Sequence, residues 1–146
     1  MKDLNQVLEF LNEIPCINQG GCGISALAVY RWLKKNNSLS DDFAIIYLHY
    51  WDNNDMELNN NFISGESKVA TSCSHAIFRY NGKLYDSNGI HRGVDVSTTN
   101  HVVITVKDIE RFMRASLSVS SWNTCFSREQ AIPLINKKLQ VDLELA

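Results

Sequence analysis

His75-Ala76-Ile77-Phe78-Arg79-Tyr80-Asn81-Gly82-Lys83-Leu84-Tyr85-Asp86-Ser87 is the stretch whose reading decides the fold. Asn-Gly between two runs of aromatic and aliphatic residues is the signature of a type I′ hairpin, because both central positions of that turn require positive φ. A two-residue turn pairs Tyr80 with Lys83, Phe78 with Tyr85, Ile77 with Asp86 and His75 with Asn88. Cross-strand partners share a face and neighbours along a strand alternate. His75, Ile77, Asp86 and Asn88 therefore fall on one face, with Ala76, Phe78 and Tyr85 on the other. Both faces carry apolar side chains, so an ionisable pair there is costly unless its members satisfy one another.

Working outward, Phe43–Trp51 is rich in aromatic and β-branched residues and reads as a buried strand, and Val102–Val106 as another. Leu4, Val7, Leu8 and Leu11 recur at helical spacing, which predicts a helix over 3–13. Residues 23–36 are apolar on most sides, which predicts a central helix, with Lys34 and Lys35 at its C-terminal end where cations are favoured. Further helices are predicted over 107–117 and, with Ser127 as N-cap, over 127–140, where Pro133 interrupts the pattern. Residues 52–67 hold five asparagines between Asn53 and Asn61 and read as a long loop with room for one helical turn, a candidate lid. Strands grouped between helices predict an α+β class.

The chain has 146 residues, enough for a single domain spanning 1–146. Its 14 basic and 16 acidic residues give a net charge of -2 with no basic block, which argues against a nucleic-acid partner. No apolar run approaches the roughly 20 residues of a membrane span, and Met1-Lys2-Asp3-Leu4 does not open a signal peptide. The expectation is a cytoplasmic chain without a membrane partner, in which Cys16, Cys22, Cys73 and Cys125 are free thiols.

Cys22 is set apart. It follows Gly20-Gly21 and opens the central helix, where first-turn N–H groups lack intrahelical partners and favour a thiolate. The other three cysteines read as ordinary side chains. His75 is the candidate base and Asp86 the group that orients it, with Asn88 as the alternative orienting residue. His101 opens a strand and ranks behind His75 because it lacks an acidic partner; His49 reads as a satisfied core residue and His91 as a loop residue. Cys16, Cys22, Cys73 and His75 offer zinc-type donors, but C-x5-C followed by C-x-H matches no zinc spacing, so neither metal nor cofactor is expected. An inert structural or interaction protein is the competing reading.

The run Asn18-Gln19-Gly20-Gly21-Cys22-Gly23-Ile24-Ser25-Ala26-Leu27-Ala28, with Ser74-His75-Ala76-Ile77 and Tyr85-Asp86-Ser87, resembles papain-like cysteine peptidases in the chain order Cys, His, Asp. The Cys-Gly-x-x-x-Leu-Ala pattern is most similar to compact members such as bacteriocin-processing peptidases, and the His hairpin ending in Asp also resembles transglutaminase-like proteins. The resemblance implies a papain-like fold with the central helix packed on an antiparallel sheet. It also implies acyl transfer on a protein or peptide substrate by Cys22, His75 and Asp86. Peptide or isopeptide hydrolysis is the leading outcome, with transamidation, deamidation or an inactive relative as alternatives. The oxyanion would be held by the Cys22 N–H with Gln19, Asn18 or Gly21. Cys16 occupies the position, six residues before Cys22, where papain carries its oxyanion Gln. A second alignment would place Ser25 at the nucleophile position, but a residue one turn into the helix has its N–H already engaged.

Overall fold

The Asn81-Gly82 turn forms as the sequence predicts, with φ +51° at Asn81 and +77° at Gly82. Positive φ at both positions is the type I′ geometry, and glycine takes the second at no steric cost. The turn joins strands β2 (His75–Tyr80) and β3 (Lys83–Asp86), paired as Tyr80–Lys83, Arg79–Leu84 and Phe78–Tyr85. Asp42 clamps it from outside, accepting the Asn81 N–H at 3.0 Å and the Gly82 N–H at 2.7 Å.

The computed structural model describes residues 3–15, 17, 21–50, 53–90, 99–119 and 128–143. Among these, β1 (Ala44–Leu48), β4 (Gly89–Ile90) and β5 (His101–Thr105) complete a sheet of order β4-β3-β2-β1-β5 in which every neighbouring pair is antiparallel. The helices are α1 (Leu4–Glu13), α2 (Cys22–Lys35), α3 (Asn53–Ser64), α4 (Ile109–Val119) and α5 (Arg128–Leu139). The class is α+β, as expected. No helix among the described residues is long and apolar enough to cross a membrane.

Alternation along the strands sorts the core. Ile45, Tyr47, Ala76, Phe78, Val102 and Ile104 join the large cluster shared with the helices. Ile46, Leu48 and Ile77, with Leu84 and Val103 against them, form a smaller cluster on the opposite face. Helix α2 is the centre of the large cluster: every residue from Gly23 to Tyr30 is buried, as are Trp32 and Leu33. It ends where Asn37 turns to φ +54° and the Ser38 N–H reaches back to the Leu33 carbonyl at 2.9 Å. Gly23 explains how closely the start of α2 approaches its neighbours. A Cβ there would stand 2.9 Å from Leu117 Cδ2 on α4 and 3.5 Å from the Tyr47 hydroxyl on β1.

Two expectations are corrected. The segment 52–67 is not a loop over most of its length: 53–64 is helix α3, with Asn59 and Phe62 buried. Tertiary contacts override the poor helix propensity of its asparagines. Phe62 packs edge-on to Phe112, and Arg111 donates to the Phe62 and Ile63 carbonyls at 3.0 and 3.1 Å, satisfying the C-terminal end. Gly65, at φ +89°, then closes a Schellman motif through Gly65 N–H to Phe62 O and Glu66 N–H to Asn61 O.

The hairpin's second strand also ends sooner than expected. It stops at Asp86, which pairs with Gly89 on β4 rather than with Ile77. Asp86 Oδ1 accepts the Asn88 N–H at 2.8 Å, an Asx turn that folds the chain back on itself. Elsewhere the predicted elements hold to within a few residues, and α5 runs through Pro133. Ser127 lies outside the described residues.

Candidate active site

Cys22 is the first residue of α2, and Gly21 precedes it as N-cap with no side chain to offer the first turn. The first intrahelical acceptor is the Gly21 carbonyl, taken by the Ser25 N–H at 2.9 Å. The N–H groups ahead of Ser25 therefore present their partial positive charge at Cys22.

The β2–β3 ladder runs only as far as Phe78 and Tyr85, because β3 turns away at Asp86. Beyond that point the Ala76 N–H donates to Cys22 Sγ at 3.4 Å. The early end of one strand thus opens the sheet to the helix start. His75, one residue earlier, places Nε2 3.2 Å from Asp86 Oδ2 and also hydrogen-bonds Cys22. One imidazole thus serves both the carboxylate and the sulfur. The His75 and Asp86 side chains are only 16% and 10% exposed, which strengthens their attraction relative to a surface pair.

The electrostatics follow from these contacts. The Asp86 carboxylate, then the Cys22 thiolate, raise the His75 imidazole to a pKa of about 9 against the opposing effect of burial. Cys22 is held well below the usual thiol range, first by a hydrogen bond with Cys73, then by His75 and the Ala76 N–H, with burial working against them. Burial pushes Cys73 well above the ordinary thiol value, and the neighbouring Cys22 adds to that. These directions favour the thiolate form of Cys22 beside the imidazolium form of His75 and keep the proton on Cys73. An imidazolium between two anions is stable in that form.

Cys73 is not the ordinary side chain its sequence context suggests: it touches the sulfur of Cys22. Its place two residues before His75 on an extended segment is the signal that could have found it. That segment is held from several sides. Asn59, fully buried on α3, accepts the Thr71 N–H at 2.7 Å and donates to the Ser72 carbonyl at 3.4 Å. The same amide lies 3.5 Å from His49 Nε2, which makes His49 the partnered core residue its sequence context predicts. Ser116 on α4 donates to the Thr71 carbonyl at 2.8 Å, and the Ser74 N–H donates to the Leu48 carbonyl at 2.9 Å. Sequence reasoning misses Asn59 because it lies in a segment that reads as loop.

The remaining candidates fall elsewhere. Asn88 is exposed and meets Asp86 through its backbone, so the side chain facing His75 is that of Asp86. His101 pairs across β1 with Leu48, which pairs on its other side with His75. Two strand spacings, roughly 10 Å, separate the two histidines, and His101 Nδ1 is 2.7 Å from the Thr99 carbonyl. Ser25 is buried within α2. Asn18, Gln19, Cys16, His91 and Cys125 lie outside the described residues. Among the described residues, no group of three or more His, Cys, Asp or Glu is placed to hold a metal ion.

Cys22, Ser25 and Ala26 on the helix face Ala76, Phe78, Asp86 and Ser87 across a crevice too narrow to admit a water molecule. Ser87 also lines a wider groove of about 260 Å³, walled by Asn5, Leu8, Glu9 and Asn12 of α1 and by Asn88 and Gly89. Compared with family models, curated proteins and solved structures, the chain has no match.

Proposed function

We propose that this chain is a thiol-dependent acyl-transfer enzyme with a papain-like arrangement of helix and sheet, acting on an amide of a protein or peptide substrate. The observation that carries the reading is His75 held between Asp86, at 3.2 Å, and the Cys22 sulfur at a helix start. The thiolate attacks the carbonyl carbon, and the carbonyl oxygen gains the charge the sulfur gives up. First-turn N–H groups, that of Cys22 first, are aimed at that oxygen. His75 gives its proton to the departing amine, and the C–N bond breaks to leave a thioester on Cys22. Neutral His75 then takes a proton from water, which attacks the thioester and frees the acid, and the thiolate is restored. Asp86 holds the ring in place throughout and stabilises the imidazolium. An amine in place of water in the second step gives transamidation with the same parts.

The test is the acyl-enzyme itself. Mixed with p-nitrophenyl acetate at neutral pH, the protein is expected to release a burst of one equivalent of nitrophenolate and to carry one acetyl group on Cys22. Cys22→Ala abolishes the burst and His75→Ala slows it by ~100-fold or more. Slow acetylation scattered over lysines, with no burst, would overturn the reading.

A further inference from the structure

The contact between Cys22 and Cys73 has a use that acyl transfer does not require. The two thiols come from distant parts of the chain, one at the start of α2 and one in the irregular segment before β2. Both are free and half-buried, and they are hydrogen-bonded to each other. The Ala76 N–H, on the same run of chain as Cys73, donates to the Cys22 sulfur and fixes its position beside that segment. Cys73 lies outside the strands, between Ser72 and Ser74, whose backbone groups are held by Asn59 and by Leu48.

We propose that Cys22 and Cys73 form a peroxide-driven disulfide site, with Cys22 as the oxidised thiol and Cys73 as the resolving one. A hydroperoxide is the substrate class. The Cys22 thiolate attacks the distal peroxide oxygen, the O–O bond breaks, and the leaving alkoxide or hydroxide takes a proton; Cys22 becomes a sulfenic acid. The Cys73 sulfur then attacks the Cys22 sulfur. The S–O bond breaks, the Cys73 proton leaves with the departing oxygen as water, and an S–S bond forms. Two electrons pass from the two thiols to the peroxide, and a dithiol reductant returns them. A low-pKa, partly accessible thiol beside a second cysteine is the setting in which sulfenic acid is captured before further oxidation. The disulfide removes the thiolate from His75, so oxidation stores Cys22 in a recoverable form. None of this depends on Cys22 attacking a carbonyl.

The experiment is peptide mapping of the whole protein after treatment with a slight excess of hydrogen peroxide and quenching with N-ethylmaleimide. The expected product has lost about 2 Da and contains a Cys22–Cys73 crosslinked peptide that dithiothreitol reverses. In Cys73→Ala, Cys22 is expected to gain about 32 Da as sulfinic acid, which the same reductant does not reverse. If that variant fails to fold, mapping of the unaltered protein decides alone. Cys22 crosslinked to Cys16 or Cys125, Cys22 overoxidised while Cys73 remains a free thiol, or Cys22 unmodified by peroxide would each overturn the proposal.

Discussion

His75 Nε2 and Asp86 Oδ2 stand 3.2 Å apart, although the strand carrying Asp86 stops pairing with the strand of His75 before it reaches it. The carboxylate is aimed by the Asx turn that takes its other oxygen, not by a ladder partner. Asp86→Asn keeps an acceptor for the Asn88 N–H but removes the charge. The His75 pKa is expected to fall from about 9 toward its ordinary value, because Asp86 is the largest cause of its elevation. Titration of the His75 ring proton by NMR checks this, and an unmoved midpoint would show that Asp86 is not what holds the imidazolium.

Asn59 is the device that carries the segment containing Cys73 and His75. Its buried amide serves Thr71, Ser72 and His49 at once. Asn59→Ala leaves the Thr71 N–H in search of a partner and is expected to cost about 1–3 kcal/mol in chemical denaturation. Cys22 should also lose part of its low-pH reactivity as Cys73 moves. A variant as stable as the parent would mean that water replaces the amide fully.

Gly23 sits where α2 touches α4 and β1. Gly23→Val introduces a branched side chain where Leu117 Cδ2 already stands 2.9 Å from the position of a Cβ. Overpacking there is expected to cost ~1–3 kcal/mol. Because Cys22 is its neighbour, the acyl-transfer rate should fall more than the loss of stability explains. Calorimetry and the nitrophenolate burst, measured on the same preparation, separate the two effects.

Stability should depend on pH with a definite sign. His75, at about 9, and Cys73, raised well above its ordinary value, both keep protons in the folded state that the unfolded chain releases at lower pH. Their contribution is complete below the unfolded pKa values and is lost as pH rises through the folded ones. Cys22 acts oppositely: its lowered pKa stabilises the fold above the ordinary thiol value, and that contribution is lost as pH falls through the folded pKa. Between about 6.5 and 8.5 the His75 and Cys22 slopes oppose each other. Above that range only the proton-holding pair remains, so the melting temperature is expected to decline toward pH 10, and Cys73→Ser should flatten the decline.

How much of the fold and site is legible in the sequence depends on the range of the interaction. The hairpin is local: Asn81-Gly82 sets the turn, and the turn sets the register as far as Phe78 and Tyr85, which leaves Asp86 at the strand end for the Asx turn to aim at His75. The start of α2 is local too, announced by Gly21 and by the apolar run after Cys22. The Asx turn at Asp86 escapes the sequence because Asp-Ser-Asn-Gly reads equally well as a strand end continuing to Ser87. Helix α3 escapes it because its support comes from Arg111 and Phe112 on a helix almost fifty residues away. The Cys22–Cys73 contact joins two parts of the chain that only the packed helix and sheet bring together, and no spacing rule reports such a meeting.

The central claim is that Cys22 is a thiolate, held in that form by Cys73 and by the counter-charge of His75. Its most direct test is the rate of Cys22 alkylation by iodoacetamide between pH 4 and 10, followed by peptide mapping. Reactivity is predicted to be high and level well below the ordinary thiol pKa of about 8.5. It should be at least ~10-fold slower at pH 6 in His75→Ala, whose thiol has lost its counter-charge. A Cys22 rate that rises only near pH 8.5, in step with the other cysteines and indifferent to His75→Ala, would contradict the account.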